Sequence, residues 1–360
     1  MGSSVGSGSS PPSYDERGGR PGTFASGYPQ TDNSAFRQGR VGATLSVVDP
    51  LRVIAEVDGF FTRQQAAQAG YDAKTIARLL KARQWVRVRP GAYTFPDLWE
   101  AADPVAQHLL RAHAVVRKLG DRVALSHVSA TLEHGLSVWN VDLSLVHVTR
   151  LDGGSGRIEA GVVHHEGLTL PEDLVERHGI LVMKPARAAL ETASMTTSEG
   201  GLVVLDSLLH VTDVEREELE ATFQLMGSWA ETQRLVVPVR MADGRAESVG
   251  ESRWRHLGYA YNLPAPELQY EVCDDRGNLI GTTDMAWPKY RLLGEFDGKI
   301  KYGRLLKPGQ EPGEVVFEEK KREDALREIT GYGMVRVIWP DLDRPADTAV
   351  RMWRLMRRAA

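Results

Sequence analysis

The chain has 360 residues, 42% of them hydrophobic, and a formal net charge of −4. It is long enough for two or three domains, and too close to neutral to bind nucleic acid through bulk charge, so any such contact needs a local basic patch. The single cysteine, Cys273, excludes an intrachain disulfide and a cysteine zinc site; no run reaches membrane-span length and no leader pattern opens the chain, so a cytoplasmic protein is expected.

Residues 1–46 are rich in Gly, Ser and Pro. Too few apolar side chains are present to offset the entropy of ordering, which predicts a disordered tail without assigned function.

Residues 47–100 are patterned. "VVDPLRVIAEVDGFF" predicts a first helix, and "TRQQAAQAG" a second between the cap residue Thr62 and Gly70. "DAKTIARLLKARQ" predicts a third helix, capped by Asp72 and burying Ile76, Leu79 and Leu80. "WVRVRPGAYTF" alternates about a Pro-Gly turn and predicts a hairpin. Three helices and a hairpin, in that order, predict a winged helix-turn-helix. Lys74, Arg78, Lys81, Arg83, Arg87 and Arg89 face a single acid, Asp72, in this stretch. Lys74, Arg78 and Lys81 share a helical face, and Arg87 and Arg89, two apart in a strand, are expected to share one too. That arrangement suits phosphate contact, with Thr75 and Gln84 as weaker candidates for base reading.

The Thr-Arg-x-x-Ala-x-x-x-Gly helix, the helix after it and the Arg-x-x-x-Gly-Ala-Tyr hairpin, Arg87 to Tyr93, resemble the N-terminal winged helix of AbiEi-type antitoxins of type IV toxin–antitoxin systems. The resemblance implies promoter binding and repression of the chain's own operon, with a cognate toxin as partner.

Residues 101–245 predict a mixed α/β section. "PVAQHLLRAHAVVRKLG", "SHVSATLEHGL", "KPARAALETASM" and two segments around 200–225 are helical, while "SLVHVTR" and "RIEAGVVHHE" are strands. "LSHVSATLEHGL" and "VHVTR" extend the AbiEi resemblance. There is no glycine-rich phosphate loop, no Gly-x-Ser-x-Gly and no His-Glu-x-x-His. His164 and His165 are neighbours in a strand, so they point to opposite faces and are expected to be exposed histidines rather than joint metal ligands.

Residues 246–360 predict the order α-β-β-β-α-β-α. Asp284 falls in the second strand and Glu295 in the third, so adjacent antiparallel strands can bring the two carboxylates together. Asp297 keeps the parity of Glu295, Glu251 lies on the preceding helix, and Lys299 and Lys301 follow Gly298. Carboxylates of this kind can hold Mg²⁺ against a phosphodiester, with a lysine to orient water or meet developing charge. The spacing and order resemble the PD-(D/E)XK nucleases, nearest to the branch similar to very-short-patch repair endonucleases, with Arg322-Glu323-Asp324 in the following helix. The chain departs from that branch at Lys301, which stands where the branch has a histidine, so a general base is not assigned.

The combined expectation is a multi-domain α/β (α+β) DNA-binding protein of toxin–antitoxin or phage-defence type. Its winged helix recognises DNA, and its C-terminal domain is a Mg²⁺-dependent endonuclease-like unit acting through Asp284, Glu295, Asp297, Lys299 and Lys301, with metal ligands Glu251, Asp284 and Glu295. The alternative is an antitoxin-like repressor whose nuclease fold has lost activity.

Overall fold

The computed structural model describes residues 49–227, 229, 231–298 and 312–359. The tail expectation for residues 1–46, and those for Lys299 and Lys301, lie outside the described residues.

Helix α1 (Pro50–Asp58) starts where Asp49 accepts from the Leu51 N–H and ends at Gly59, whose φ of +79° breaks the helical run. The predicted helix therefore runs three residues too far at its C-terminal end. Phe60 and Phe61 turn away into the core, and Phe61 meets Trp85 edge-on at 4.7 Å. Strand β1 (Phe61–Thr62) precedes α2 (Arg63–Gln68), which opens with a reciprocal Thr62–Gln65 capping box. Helix α3 (Ala73–Lys81) is capped by Asp72, and β2 (Val86–Arg89) and β3 (Ala92–Thr94) form the wing around Gly91, at φ +89°. The sheet order is β1-β3-β2, closed on Leu51, Ala55, Ala66, Ile76, Trp85 and Tyr93.

Next come α4 (Pro96–Ala101), α5 (Pro104–Leu119), β4 (Val123–Leu125), α6 (His127–Glu133) and β5 (Val146–Arg150). The "RIEAGVVHHE" stretch is a hairpin, β6 (Arg157–Glu159) and β7 (Val162–His165), because Ala160 and Gly161 both take positive φ and reverse the chain. After β8 (Leu174–Arg177) and β9 (Ile180–Met183) follow α7 (Pro185–Ser194), α8 (Ser198–Val211), α9 (Arg216–Leu225) and α10 (Val236–Met241). The six strands run in the order β6-β7-β5-β4-β9-β8. Phe60, Val88 and Ala92 of the winged helix share a buried cluster with Ala114 of α5, so the wing is seated on this middle section.

The remaining elements are α11 (Val249–Ala260), β10 (Glu267–Cys273), β11 (Leu279–Trp287), β12 (Leu292–Asp297), α12 (Pro312–Thr330), β13 (Gly333–Ile338), α13 (Trp339–Leu342) and α14 (Pro345–Ala359). The predicted α-β-β-β-α-β-α order is observed, with a short α13 inserted before the last helix. The sheet order is β10-β11-β12-β13, antiparallel except that β13 lies parallel to β12. Helix α11 lies flush on this sheet. A Cβ on Gly250 would come within 1.9 Å of the Phe296 ring, and one on Gly294 within 2.6 Å of Trp254.

Two ion pairs fasten α11 to α8. Arg253 Nε bonds Glu199 at 2.9 Å, and Arg255 Nη1 bonds the fully buried Asp206 at 2.6 Å. The Arg253 guanidinium also lies 4.1 Å from the centre of the Trp139 ring, which stacks on Trp339. Residues Val48–Ala360 accordingly form one unit.

Candidate functional site

Cations and carboxylates collect in two separate places. On the winged helix, the buried stripe of α3 turns Lys74, Arg78 and Lys81 to solvent. Arg83, just past the helix, and Arg87 on β2 are exposed as well. Arg89 is different. The β2–β3 ladder pairs Arg87 with Tyr93 but Arg89 with Ala92, so a bulge sits between them. The extra residue reverses the strand's parity and sends Arg89 off the face of Arg87, against the sequence expectation. Arg89 is partly buried, and its Nε and Nη1 have no hydrogen-bond partner among the described residues. Beside the exposed cations, Arg63, Arg117 and Lys118 line a cleft of about 790 Å³ between α2, the wing turn and α5. Arg63 was legible as the first residue of the capped helix, whereas Arg117 and Lys118 reach the cleft only through packing.

The acidic cleft is built where β11 and β12 part company. Their ladder ends at Met285–Gly294, and beyond it Asp284 Oδ2 accepts the free Phe296 N–H at 2.6 Å. Burial, then repulsion from Glu251, raises the Asp284 carboxyl to about pKa 6. Glu251 is buried in the first turn of α11, accepting from Ser248 Oγ at 2.6 Å and the Glu247 N–H at 3.0 Å, and burial raises its pKa as well. The charges of Asp284 and Glu251 thus act on one another.

Glu295 and Asp297 meet arginines instead. Glu295 Oε1 accepts from Arg322 Nη2 at 2.8 Å, and Arg336 Nη2 lies 3.5 Å from Glu295 Oε2. Arg336 also reaches Asp297 at 3.4 Å and Glu323 at 3.0 Å. Arg336 sits opposite Glu295 in the parallel β12–β13 register, a placement that depends on strand pairing and leaves no local sequence signal. The all-oxygen donor set is of the type Mg²⁺ takes. Yet the geometry does not assemble it: guanidiniums occupy Glu295 and Asp297, and among the described residues no group of three or more His, Cys, Asp or Glu side chains is placed to hold a metal ion.

His164 and His165 point to opposite faces, as expected, but neither is exposed. His164 is 7% exposed, and His165 is half-buried, with its Nε2 2.9 Å from His147 Nδ1 and its ring stacked 3.6 Å from that of His127. Their strand is interior to a six-stranded sheet, which a two-residue reading of parity does not reveal. Burial holds His127 down to about pKa 3 and His147 and His165 to about 4, so all three rings are neutral at neutral pH.

Residues 49–96, the winged helix, match a family described as "Transcriptional regulator, AbiEi antitoxin". Residues 114–236 match "AbiEi antitoxin C-terminal domain". Two uncharacterized Mycobacterium tuberculosis proteins, MT2308 of strain CDC 1551 and Rv2248 of strain H37Rv, are each 32% identical over 187 residues, 50% of this chain. The match spans 64% of the length of those relatives. The crystal structure of the M. tuberculosis protein RV2827C is similar at 16% identity and a TM-score of 0.36, over 54% of this chain and 77% of that one. The two matched segments take in the exposed cations of α3 and the wing, and they end before α11 and the acidic cleft.

Proposed function

We propose that this chain is a DNA-binding transcriptional regulator of the antitoxin kind, in which α3 and the wing hold operator DNA and the C-terminal α-β-β-β-α-β section is a nuclease-like scaffold that does not cut. One observation carries the reading: Lys74, Arg78, Lys81 and Arg87 stand exposed together on the segment that matches an AbiEi transcriptional regulator. Cations so placed neutralise phosphates and set the winged helix in register, leaving base edges to neighbouring side chains. A cognate toxin is the protein partner this reading implies.

Glu295 and Asp297 support the non-cutting part, since arginines already satisfy the charge a metal would answer. A second reading, a Mg²⁺-dependent deoxyribonuclease, draws on Asp284 beside Glu251, where repulsion between carboxylates favours a bound cation. Lys299 and Lys301 would serve that reading by orienting water or meeting phosphate charge.

The test is to incubate the full chain with DNA from upstream of its own gene and with unrelated DNA, in chelator and in Mg²⁺. Sequence-selective binding that persists in chelator, with the DNA left intact in Mg²⁺, is the expected result. Metal-dependent cutting that an Asp284→Ala/Glu295→Ala variant abolishes would establish the nuclease instead. Absence of selective binding would remove the regulator.

A further inference from the structure

A second cleft, of about 980 Å³, opens between the end of α1, α5 and the β8–β9 turn. Phe60, Leu110, Val116, Ile180 and Leu181 line it, with Val57, 79% exposed, at its edge. Close packing sets its floor. A Cβ on Gly59 would fall 2.1 Å from Leu110, so α1 ends flush against α5. The far lip is fixed as well. His178 and Gly179, both at positive φ, make the two-residue β8–β9 turn. Buried Glu133 accepts from His178 Nδ1 at 2.8 Å and from His113 Nε2 at 2.7 Å, which ties that turn to α5. The cleft is therefore built into the fold.

Its charge is negative. Four carboxylates, Glu56, Asp58, Asp121 and Glu176, line it against one arginine, Arg117. Arg117 is engaged by Asp58 at 3.0 Å, and Arg52 answers Glu56 at 2.7 Å. Asp121, past the end of α5, and Glu176, on β8, are exposed, and neither forms an ion pair with a described residue. An apolar floor below unanswered carboxylates suits a helix that carries apolar and basic side chains on one face.

The chain presents such a face itself. On α14, Ala349, Met352 and Met356 pack into the core. Val350, Arg354, Arg357 and Arg358 fall at i, i+4, i+7 and i+8, on one face turned away from it. All four are exposed, Val350 by 58%, and the three arginines form no ion pair with a described residue. A basic last turn is ordinary, because cations there offset the helix dipole, but that effect does not reach back to Arg354 and Val350. The stripe from 350 to 358 is about 12 Å long.

We propose that the cleft is a self-association surface, which takes the exposed α14 stripe of a second copy of this chain. Arg354 and Arg358 meet Asp121 and Glu176, and Val350 packs on the apolar floor. In a closed pair each copy supplies one helix and one cleft, so the contact is made twice. The inference stands apart from the DNA-binding reading. Where that reading holds too, the pair carries two winged helices, one for each half of a two-part operator.

Sedimentation velocity of the full chain, without DNA and across micromolar concentrations, tests this. Wild type should dimerise at about 0.05 M salt, and about 0.5 M salt should raise Kd tenfold or more by screening the exposed charges. At low salt, Asp121→Lys/Glu176→Lys and Arg354→Glu/Arg358→Glu should each raise Kd by about tenfold or more. A chain with all four changes has a basic cleft and an acidic helix, and should return to within about threefold of wild type. Asp275→Lys/Glu328→Lys makes the same change in net charge as the cleft variant, at exposed positions outside both surfaces, and should match wild type.

The replaced side chains are exposed, so the variants should fold, which circular dichroism checks. Should the lysine pair not fold, Asp121→Asn/Glu176→Gln only removes the charges and reads the same weakening. A wild type that stays monomeric at low salt overturns the proposal and leaves the cleft to a different protein. Weakening by only one of the two reversals, no recovery in the four-change chain, or an equal loss in the control each overturns it as well. An open-ended series of species in place of a dimer overturns the closed pair. Since no sample contains DNA, failure of operator binding would leave every one of these outcomes standing.

Discussion

Arg322 Nη2 stands 2.8 Å from Glu295 Oε1, so the carboxylate that the sequence offers as a metal ligand is held by a cation from the chain itself. Glu295 is buried, with a side chain only 9% exposed, and Arg322 is about half exposed. Replacing Arg322 with Met removes the closer of the two guanidiniums. We expect a loss of about 1–2 kcal/mol, less than for a fully buried pair because Arg336 stays near and solvent screens Arg322. In wild type, millimolar Mg²⁺ should move Tm by no more than about 1 °C, whereas in the variant it should recover part of the loss. Thermal unfolding with and without Mg²⁺ checks both. A large Mg²⁺ effect in wild type would mean that the arginines yield to the metal.

Asp284 gives a pH signature. Its folded pKa, near 6, lies above the ordinary carboxylate value, so it favours the fold while protonated. That contribution is complete below about pH 4 and is lost as the pH rises through about 6. Asn at this position remains neutral throughout and can still accept from the Phe296 N–H. Asp284→Asn should therefore be more stable than wild type by about 2 kcal/mol near pH 8, with the gap closing toward about pH 4. Denaturant midpoints across that range measure it, and a gap independent of pH would show that charge is not the cause.

Much of this was legible in the chain, for local reasons. The caps Thr62 and Asp72, the stripe of Ile76, Leu79 and Leu80, and the Pro-Gly turn all act within a few residues, and they place the cations of α3 on one exposed face. The strand order around Asp284 and Glu295 was legible too, because β10 to β13 alternate with well-marked turns and one long helix. What escaped was set by partners distant in sequence. The bulge that turns Arg89 away from Arg87 exists only against β3. Arg336 reaches Glu295 only through parallel pairing, and His164 lies in a strand that β5 and β6 flank on either side, which the local sequence does not show. Strand β4 has three residues, too few to show a period.

Gly250 tests how closely α11 must approach β12. Alanine there would put its Cβ 1.9 Å from the Phe296 ring. That ring cannot swing freely, since it packs edge-on against Trp339 at 5.1 Å. We expect Gly250→Ala to cost about 2 kcal/mol, despite the better helix propensity of alanine, because overpacking outweighs it. Wild-type stability or better would mean that the helix can lift from the sheet at little cost.

Arg255 and Asp206 tie the C-terminal section to the middle one. Asp206 is fully buried, and burial raises its pKa to about 6 even with Arg255 opposing the shift. Arg255→Leu removes the partner and should cost about 3 kcal/mol at neutral pH. The loss should grow with pH, because an unpaired Asp206 resists ionisation more strongly still. Asp206→Asn in the same chain should restore most of it, since Asn can still accept from the Asp243 N–H, now 2.8 Å from Asp206 Oδ1. A double-mutant cycle by chemical denaturation reads the coupling. Additive effects of the two changes would show that the pair does not fasten α11 to α8.

The exposed cations of the winged helix give the sharpest test of DNA binding. Lys74, Arg78 and Lys81 project from α3, and Arg87 from the wing. None of the four forms an ion pair with a described residue, so replacing one with alanine should leave the fold intact. Each contact with a phosphate releases condensed counter-ions, so its loss should lower the slope of log affinity against log salt by about 0.9. Arg78→Ala/Arg87→Ala should thus flatten the slope by nearly two units and weaken operator and unrelated DNA alike, because phosphate contacts carry no sequence information. Thr75→Ala, at a position able to face a base edge, should act the other way, lowering operator affinity while sparing unrelated DNA and the slope. Fluorescence anisotropy across a salt series separates these outcomes. An unchanged slope in the double variant would move the DNA contact off this face and toward the cleft of Arg63, Arg117 and Lys118.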